Sequence, residues 1–200
     1  MPPARRERAD AARNRRAILR AAEELLAAHR PEDISMEQVA AAAGVGKGTV
    51  FHRFGSRAGL MRALMQERAM VLQQAVVDGP PPLGPGAPAR DRLLAFIDGV
   101  IEVVSRNKGL LAALDHADAV VQARVPGEEQ PPLHALWHRH IADLIHEARP
   151  DLDADLTAHL ILASLHSDPI QRLLATGDGA SRLRLALRTI IEAVLVTPPA

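Results

Sequence analysis

The sequence predicts an all-α protein, with an N-terminal helix-turn-helix domain followed by a larger helical body, about nine helices in total. Three observations carry this expectation. Apolar residues recur every three or four positions in each long segment, and no stretch alternates with the period of two that a half-buried strand needs. Proline and glycine are concentrated in short blocks, at 78–88, 126–132 and 177–179, which punctuate otherwise unbroken segments. Between Ser35 and Phe54, two short helical patterns flank a glycine turn.

Composition narrows the function classes. A chain of 200 residues can bury a real core, as one unit or two small ones. It contains no Cys, which excludes disulfides, thiolate metal sites and a thiol nucleophile. No apolar run is long enough to span a bilayer, and the Arg-rich start has no apolar segment after it. No signal peptide and no membrane association are therefore expected, and a cytoplasmic location is. Aromatic residues are limited to Phe51, Phe54, Phe96 and Trp137, too few for a stacking platform on single-stranded nucleic acid. The zero net charge hides a division. Residues 1–68 hold 13 Lys/Arg against 8 Asp/Glu, a net of +5, and residues 69–200 hold 11 against 16, a net of −5. A basic head on an acidic body suits a partner that is a polyanion met by the head alone.

In chain order, residues 1–12 carry Arg5, Arg6 and Arg8 with two prolines and no apolar period, and read as a disordered basic arm. Asn14 can cap a helix whose stripe is Ile18, Ala21, Ala22, Leu25 and Leu26, ending before Pro31. Ser35 with Gln38 forms a capping-box signature, Met36, Val39, Ala40 and Ala43 make one apolar face, and Gly44 closes that helix. From Gly46 the chain restarts, with Val50 and Phe54 facing inward and Lys47, Thr49, His52 and Arg53 left for a partner. Gly46 and Gly48 would let the backbone approach phosphates closely; glycine in a helix costs about 1 kcal/mol against alanine, so two in one short helix need such a reason.

Ser56 is the expected cap of a long helix through Leu60, Leu64, Val71 and Leu72 to about Val77. The Pro/Gly block 78–88 is a loop. Residues 89–105 are apolar at Leu93, Leu94, Phe96, Ile97, Val100 and Ile101, wider than one stripe, which places them centrally in the body. Asn107 is the expected cap of a short helix with Leu110, Leu111 and Leu114. Residues 132–148 and 180–195 are helical, as are 152–175 with a kink near Leu165–His166 from Pro169. The expected organisation is an arm at 1–12, a helix-turn-helix domain at 13–58, a connecting helix at 59–77 and a larger helical domain at 78–200.

The pattern Val39-Ala40-x-x-Ala43-Gly44-Val45-x-Lys47-Gly48-Thr49-Val50-Phe51-x-x-Phe54, followed by Ser56-Arg57-x-x-Leu60, resembles the N-terminal domain of the tetracycline-repressor (TetR) family of transcription regulators, over about residues 12 to 70. Three positions depart from the family's habit: Gly46 stands for Ser or Thr, Phe51 for Tyr and Arg57 for Lys. The resemblance implies a regulator on a palindromic operator, more often a repressor than an activator. Lys47, Thr49 and His52 become candidates for base or nearby phosphate contact, and Ser35, Gly48, Arg53 and Arg57 for the DNA backbone. Gly46 and Phe51 complete the DNA-facing set.

For the body, the resemblance implies a homodimer through the last two long helices and a pocket for an unknown small-molecule effector. Dimer candidates are Leu160, Ala163, Leu183, Leu187, Ile190, Ile191 and Val194. Pocket candidates are Phe96, Leu110, Leu114, Trp137 and Leu165, with His116, His134, His138 and His166 as polar partners. Effector entry is expected to shift the short helix and swing the long one before the Pro/Gly loop. His134 and His138 have the i, i+4 spacing of a metal pair, but spacing without a third and fourth ligand is poor evidence, and no metal or cofactor is expected. No catalytic motif is present, and Ser164, His166 and Asp168 lie too close on one helix for a triad, so no enzyme is expected. The competing expectation is a helical small-molecule or metal-binding protein without functional DNA contact. Steep salt dependence of binding to DNA would separate the two.

Overall fold

The computed structural model describes residues 3–112 and 132–196, and among them the architecture is helical with no strand. In order these are α1 (Pro3–Ala28), a single 3-10 turn (Pro31–Asp33), α2 (Met36–Ala42), α3 (Lys47–Phe54), α4 (Arg57–Asp78), α5 (Ala89–Ala112), α6 (Pro132–Ala148), α7 (Ala154–His166), α8 (Asp168–Leu173) and α9 (Gly179–Val196). No helix among the described residues is long and apolar enough to cross a membrane. The chain divides into two compact units, a head up to Glu67 that includes Leu110, and a body formed by residues 68–109 and the helices from α6 onward.

The head closes over Ile18, Leu19 and Ala22 of α1, Ile34, Met36, Val39 and Ala40 around α2, Val50 of α3, Ala58, Leu60, Met61 and Leu64 of α4, and Leu110. Arg15 of α1 pairs with Glu67 of α4 at 2.7 Å on the rim of this core. The apolar stripe of α4 thus begins inside the head, so residues 59–67 are part of it and no separate connector exists there. The expected disordered arm is helical from Pro3, and Asn14 lies within α1 without starting it. Ala4, Glu7, Ala9 and the arginines are strong helix formers, and a proline at the first helical position costs nothing because its missing N–H has no partner there.

The body packs around α5, whose Leu93, Phe96, Ile97, Val100 and Ile101 are buried against Trp137, Ile141, Leu144 and Ile145 of α6, Ala158, Leu162 and Leu165 of α7, and Leu183, Leu187 and Ile191 of α9. Each buried Val, Leu, Ile or Phe among these contributes about 1.5–3 kcal/mol. Ion pairs run along the α5–α9 seam: Arg188 to Asp98 at 2.7 Å, Arg184 to Glu102 at 3.5 Å, and Arg90 to Glu192 at 2.9 Å. Part-exposed pairs contribute at most about 1 kcal/mol each, so the apolar seam holds the helices and the charges fix their register.

Two expected breaks come out differently. α5 passes through Asn107 without a break, because the side-chain oxygen of Asn107 accepts a hydrogen bond from Arg68 of α4 at 3.3 Å instead of capping a new helix. At Pro169 the helix stops and restarts where a kink was expected: Ser167 is extended at φ −69° and ψ 142°, ending α7 and preceding α8. Proline has no N–H for the carbonyl of Leu165, and the side-chain amide of Gln171 donates to that oxygen at 2.5 Å in its place.

Candidate nucleic-acid interface

The helix-turn-helix is built by local hydrogen bonds that its residue types dictate. The N–H of Ser35 donates to the Gln38 side chain at 2.8 Å and the N–H of Gln38 donates to the Ser35 hydroxyl at 3.1 Å, the reciprocal pair of a capping box. α2 ends with Gly44 at φ +66°, a left-handed position that glycine adopts without strain. The N–H of Val45 then reaches the carbonyl of Ala40 at 3.0 Å and that of Gly44 reaches Ala41 at 3.2 Å, which closes α2 and aims α3 away from it.

α3 keeps Val50 wholly buried and Phe54 half-buried, while Gly46, Lys47, Gly48, Phe51, His52 and Arg53 are exposed and Thr49 is half-exposed. Gly46 precedes α3 without a side-chain cap, leaving the first N–H groups of that helix open to an acceptor. No atom of the head's own fold lies within 4 Å of where a Cβ at Gly48 would stand, so internal packing does not require the glycine. Ser35 accepts through its hydroxyl oxygen and still has the hydroxyl proton to donate.

Two cations behave in ways the sequence did not suggest. The ammonium of Lys47 pairs with Glu37 of α2 and lies 5.5 Å above the centre of the Phe51 ring. Glu37, absent from the expected site, is exposed, and its carboxyl is held below the usual carboxylate range, first by the hydrogen bond from Lys47. Arg57 turns inward: its Nε donates to the carbonyl of Ile34 at 3.1 Å and a terminal nitrogen donates to that of Pro31. It joins the start of α4 to the turn that launches α2, where a phosphate contact was expected. Both missed roles depend on contacts across the fold, ten and more than twenty residues apart, which periodicity does not reveal.

In the body, Phe96 meets Trp137 edge-on with ring centres 6.3 Å apart, and Leu165 belongs to the same buried cluster. Leu110, expected beside them, packs in the core of the head instead, because the unbroken α5 carries it there. His134 is half-buried, and His138 turns toward the start of α7, with Nε2 3.2 Å from the carbonyl oxygen of Asp155 and its ring 5.7 Å from that of His159. Leu114, His116 and the side chain of His166 lie outside the described residues. Among the described residues, no three or more His, Asp or Glu gather as a metal site.

The ring of His140 stands edge-on to Phe96 at 4.8 Å, and its pKa is lowered, first by burial and then by the charge of Arg92, with Asp143 opposing. The unfolded chain takes up this proton near the ordinary imidazole value of about 6.5, so stability should fall as pH drops below that value. His140→Phe is expected to flatten the fall in melting temperature between about pH 7 and pH 5.5, relative to the unaltered chain. A pair of melting series that decline in parallel would contradict this.

The expected dimer residues separate into two sets. Leu183, Leu187 and Ile191 lie buried in the body's own core, which corrects their assignment to an interface, because α9 spends that stripe inward along its seam with α5. Leu160, Ala163, Ile190 and Val194 are exposed, Leu160 at 62% and Ile190 at 57%, and Leu156 joins them on α7.

A short capped helix, a left-handed glycine turn and a second helix with an exposed polar and cationic face make up a helix-turn-helix, the plan whose second helix enters the DNA major groove. Residues 18–64 match the bacterial regulatory proteins of the tetR family. The matched segment runs from α1 into α4 and contains the whole helix-turn-helix. No curated protein matches its sequence. Among solved structures it is similar to a TetR-family regulator from Rhodococcus sp., at 25% identity over 90% of this chain and 99% of that one, with a TM-score of 0.54. It shares its fold with the TetR regulator SCO0520 of Streptomyces coelicolor, at 22% identity over 93% of this chain and 99% of that one, with a TM-score of 0.64. The same fold is seen in CprB of Streptomyces coelicolor in complex with its operator, at 19% identity over 94% of this chain and 100% of that one, with a TM-score of 0.51.

Proposed function

We propose that the protein is a homodimeric, effector-released repressor of bacterial transcription, acting in the cytoplasm on a palindromic operator and carrying out no catalysis. The observation that carries this reading is the exposed face of α3, from Gly46 to Arg53, set on a core that leaves it no internal role. One such helix reads only a few base pairs. Two heads separated by about 34–36 Å read both halves of a palindrome on successive major grooves. The exposed apolar set of Leu156, Leu160, Ile190 and Val194 supports the pairing of two copies through α7 and α9.

Lys47, Thr49 and His52 are the residues for base edges or nearby phosphates, and Arg53, the hydroxyl of Ser35 and the open N–H groups at Gly48 are those for the DNA backbone. Arg57 holds the pair of helices in place. The small-molecule site belongs in the body, with Phe96, Trp137, Leu165 and His134 as its candidates. An effector acts there only by favouring one arrangement of the regulator, since equal affinity for both would shift nothing.

A salt titration against the DNA upstream of its own gene tests the reading. A dimer making about 6–10 phosphate contacts should lose about 10³- to 10⁵-fold in affinity between 50 and 200 mM salt and retain a preferred site. Flat salt dependence, or a monomeric mass at micromolar concentration in analytical ultracentrifugation, would overturn it.

A further inference from the structure

We propose that Glu37 is a specificity-determining residue of the DNA interface: its carboxylate restrains Lys47 and penalises any duplex that offers it no hydrogen-bond donor. The inference rests on the DNA-binding reading of α3. Glu37 is in the first turn of α2 and Lys47 is the first residue of α3, so the ion pair spans the turn between the two helices. Both side chains are more than half exposed, at 53% for Glu37 and 59% for Lys47, on the surface that a duplex must meet. The Phe51 ring beneath the ammonium gives Lys47 a second restraint at the same place. An exposed carboxylate such as that of Glu37 is ionised at neutral pH, and the hydrogen bond from Lys47 favours that form further.

A fixed negative charge on a surface that docks against a polyanion works against binding unless it is used. A phosphate must take Lys47 from Glu37, and a half-exposed ion pair resists such exchange by only a few-fold in affinity. The latch is therefore weak enough to open on a good site, while on a random duplex Lys47 stays shared with Glu37. Once it opens, the carboxylate stands beside phosphates that repel it. On a site that presents a cytosine N4 amino group in the major groove, the same carboxylate accepts a hydrogen bond and the repulsion is offset. Random DNA is disfavoured and the right site is spared, which is discrimination by repulsion as well as by attraction.

The test compares the unaltered chain, Glu37→Gln, Lys47→Ala and the double variant on a random-sequence duplex and on the preferred site from its own upstream DNA. Glutamine keeps the length and the hydrogen-bonding oxygen, so folding is retained and is checked by thermal melting. Glu37→Gln should bind the random duplex about two- to five-fold more tightly and gain less on the preferred site. Its salt slope should steepen by about 0.9, the value of one further phosphate neutralised by the freed Lys47. In the Lys47→Ala background that steepening should vanish. If Glu37→Gln lowers the melting temperature but leaves random-duplex affinity and salt slope unchanged, Glu37 serves only the positive end of α2, and the proposal is overturned. An unaltered chain that binds neither duplex would refute the DNA-binding reading itself, and this inference with it.

Discussion

Replacing Phe96 by alanine is expected to lower the unfolding free energy of the body by about 3–5 kcal/mol, the largest single-residue effect on stability foreseen for the chain. Phe96 is fully buried at the middle of α5 and touches the rings of both Trp137 and His140 edge-on. Alanine would remove the ring's transfer free energy and both aromatic contacts, and leave a void that rigid neighbours such as Ile97 and Ile141 fill poorly. Phe96→Leu retains most of the volume and should cost well under half as much. Urea unfolding followed by far-ultraviolet circular dichroism measures the difference. A loss below about 1 kcal/mol for Phe96→Ala would show that α5 is not the centre of the body.

Arg57→Ala is expected to produce the second large effect, and it falls on DNA binding as well as on stability. The guanidinium donates to two backbone carbonyls, of Ile34 and Pro31, which lose a charge-assisted partner in the variant. Such hydrogen bonds contribute about 1.5–3 kcal/mol each, reduced here because the group is partly exposed. Loss of the brace frees the turn that aligns Ser35 and α2, so operator affinity should drop at least ten-fold together with the melting temperature. The conservative variant separates bracing from phosphate contact. Lysine is a point charge without the planar fork, so Arg57→Lys should restore little if bracing is the role. Full rescue by lysine would assign Arg57 to a phosphate instead.

The parts of the fold that were legible in the sequence are those set by local chemistry. Ser35 with Gln38, and Gly44 after a run of alanines, announce the ends of α2 because caps and left-handed turns depend on residues within a single turn. The apolar spacing of α5, α6 and α9 was readable because burial on one face leaves a 3.6-residue period. Long-range partners were not readable. Asn107 looks like a cap until Arg68, thirty-nine positions away, claims its oxygen. Leu183, Leu187 and Ile191 form a stripe that serves an internal seam or a dimer equally well, and only the packing of α9 decides between them. The arm at 1–12 was misread because low hydrophobicity suggests disorder while helix propensity in the same residues favours α1.

Within the interface, the exposed residues of α3 were legible because a helix as short as Lys47–Phe54 has only Val50 and Phe54 to spend inward. The second action of Lys47 was hidden, since an acid ten positions earlier is unremarkable until the turn brings it alongside.

The edge-on pairing of Trp137 with Phe96 has a practical consequence. The chain has one tryptophan and no tyrosine, so its fluorescence on excitation near the red edge arises from a single indole in the body. That indole is a native optical reporter: its emission wavelength follows the polarity around the α5–α6 seam without a label, and the bases of a bound duplex do not contribute to it.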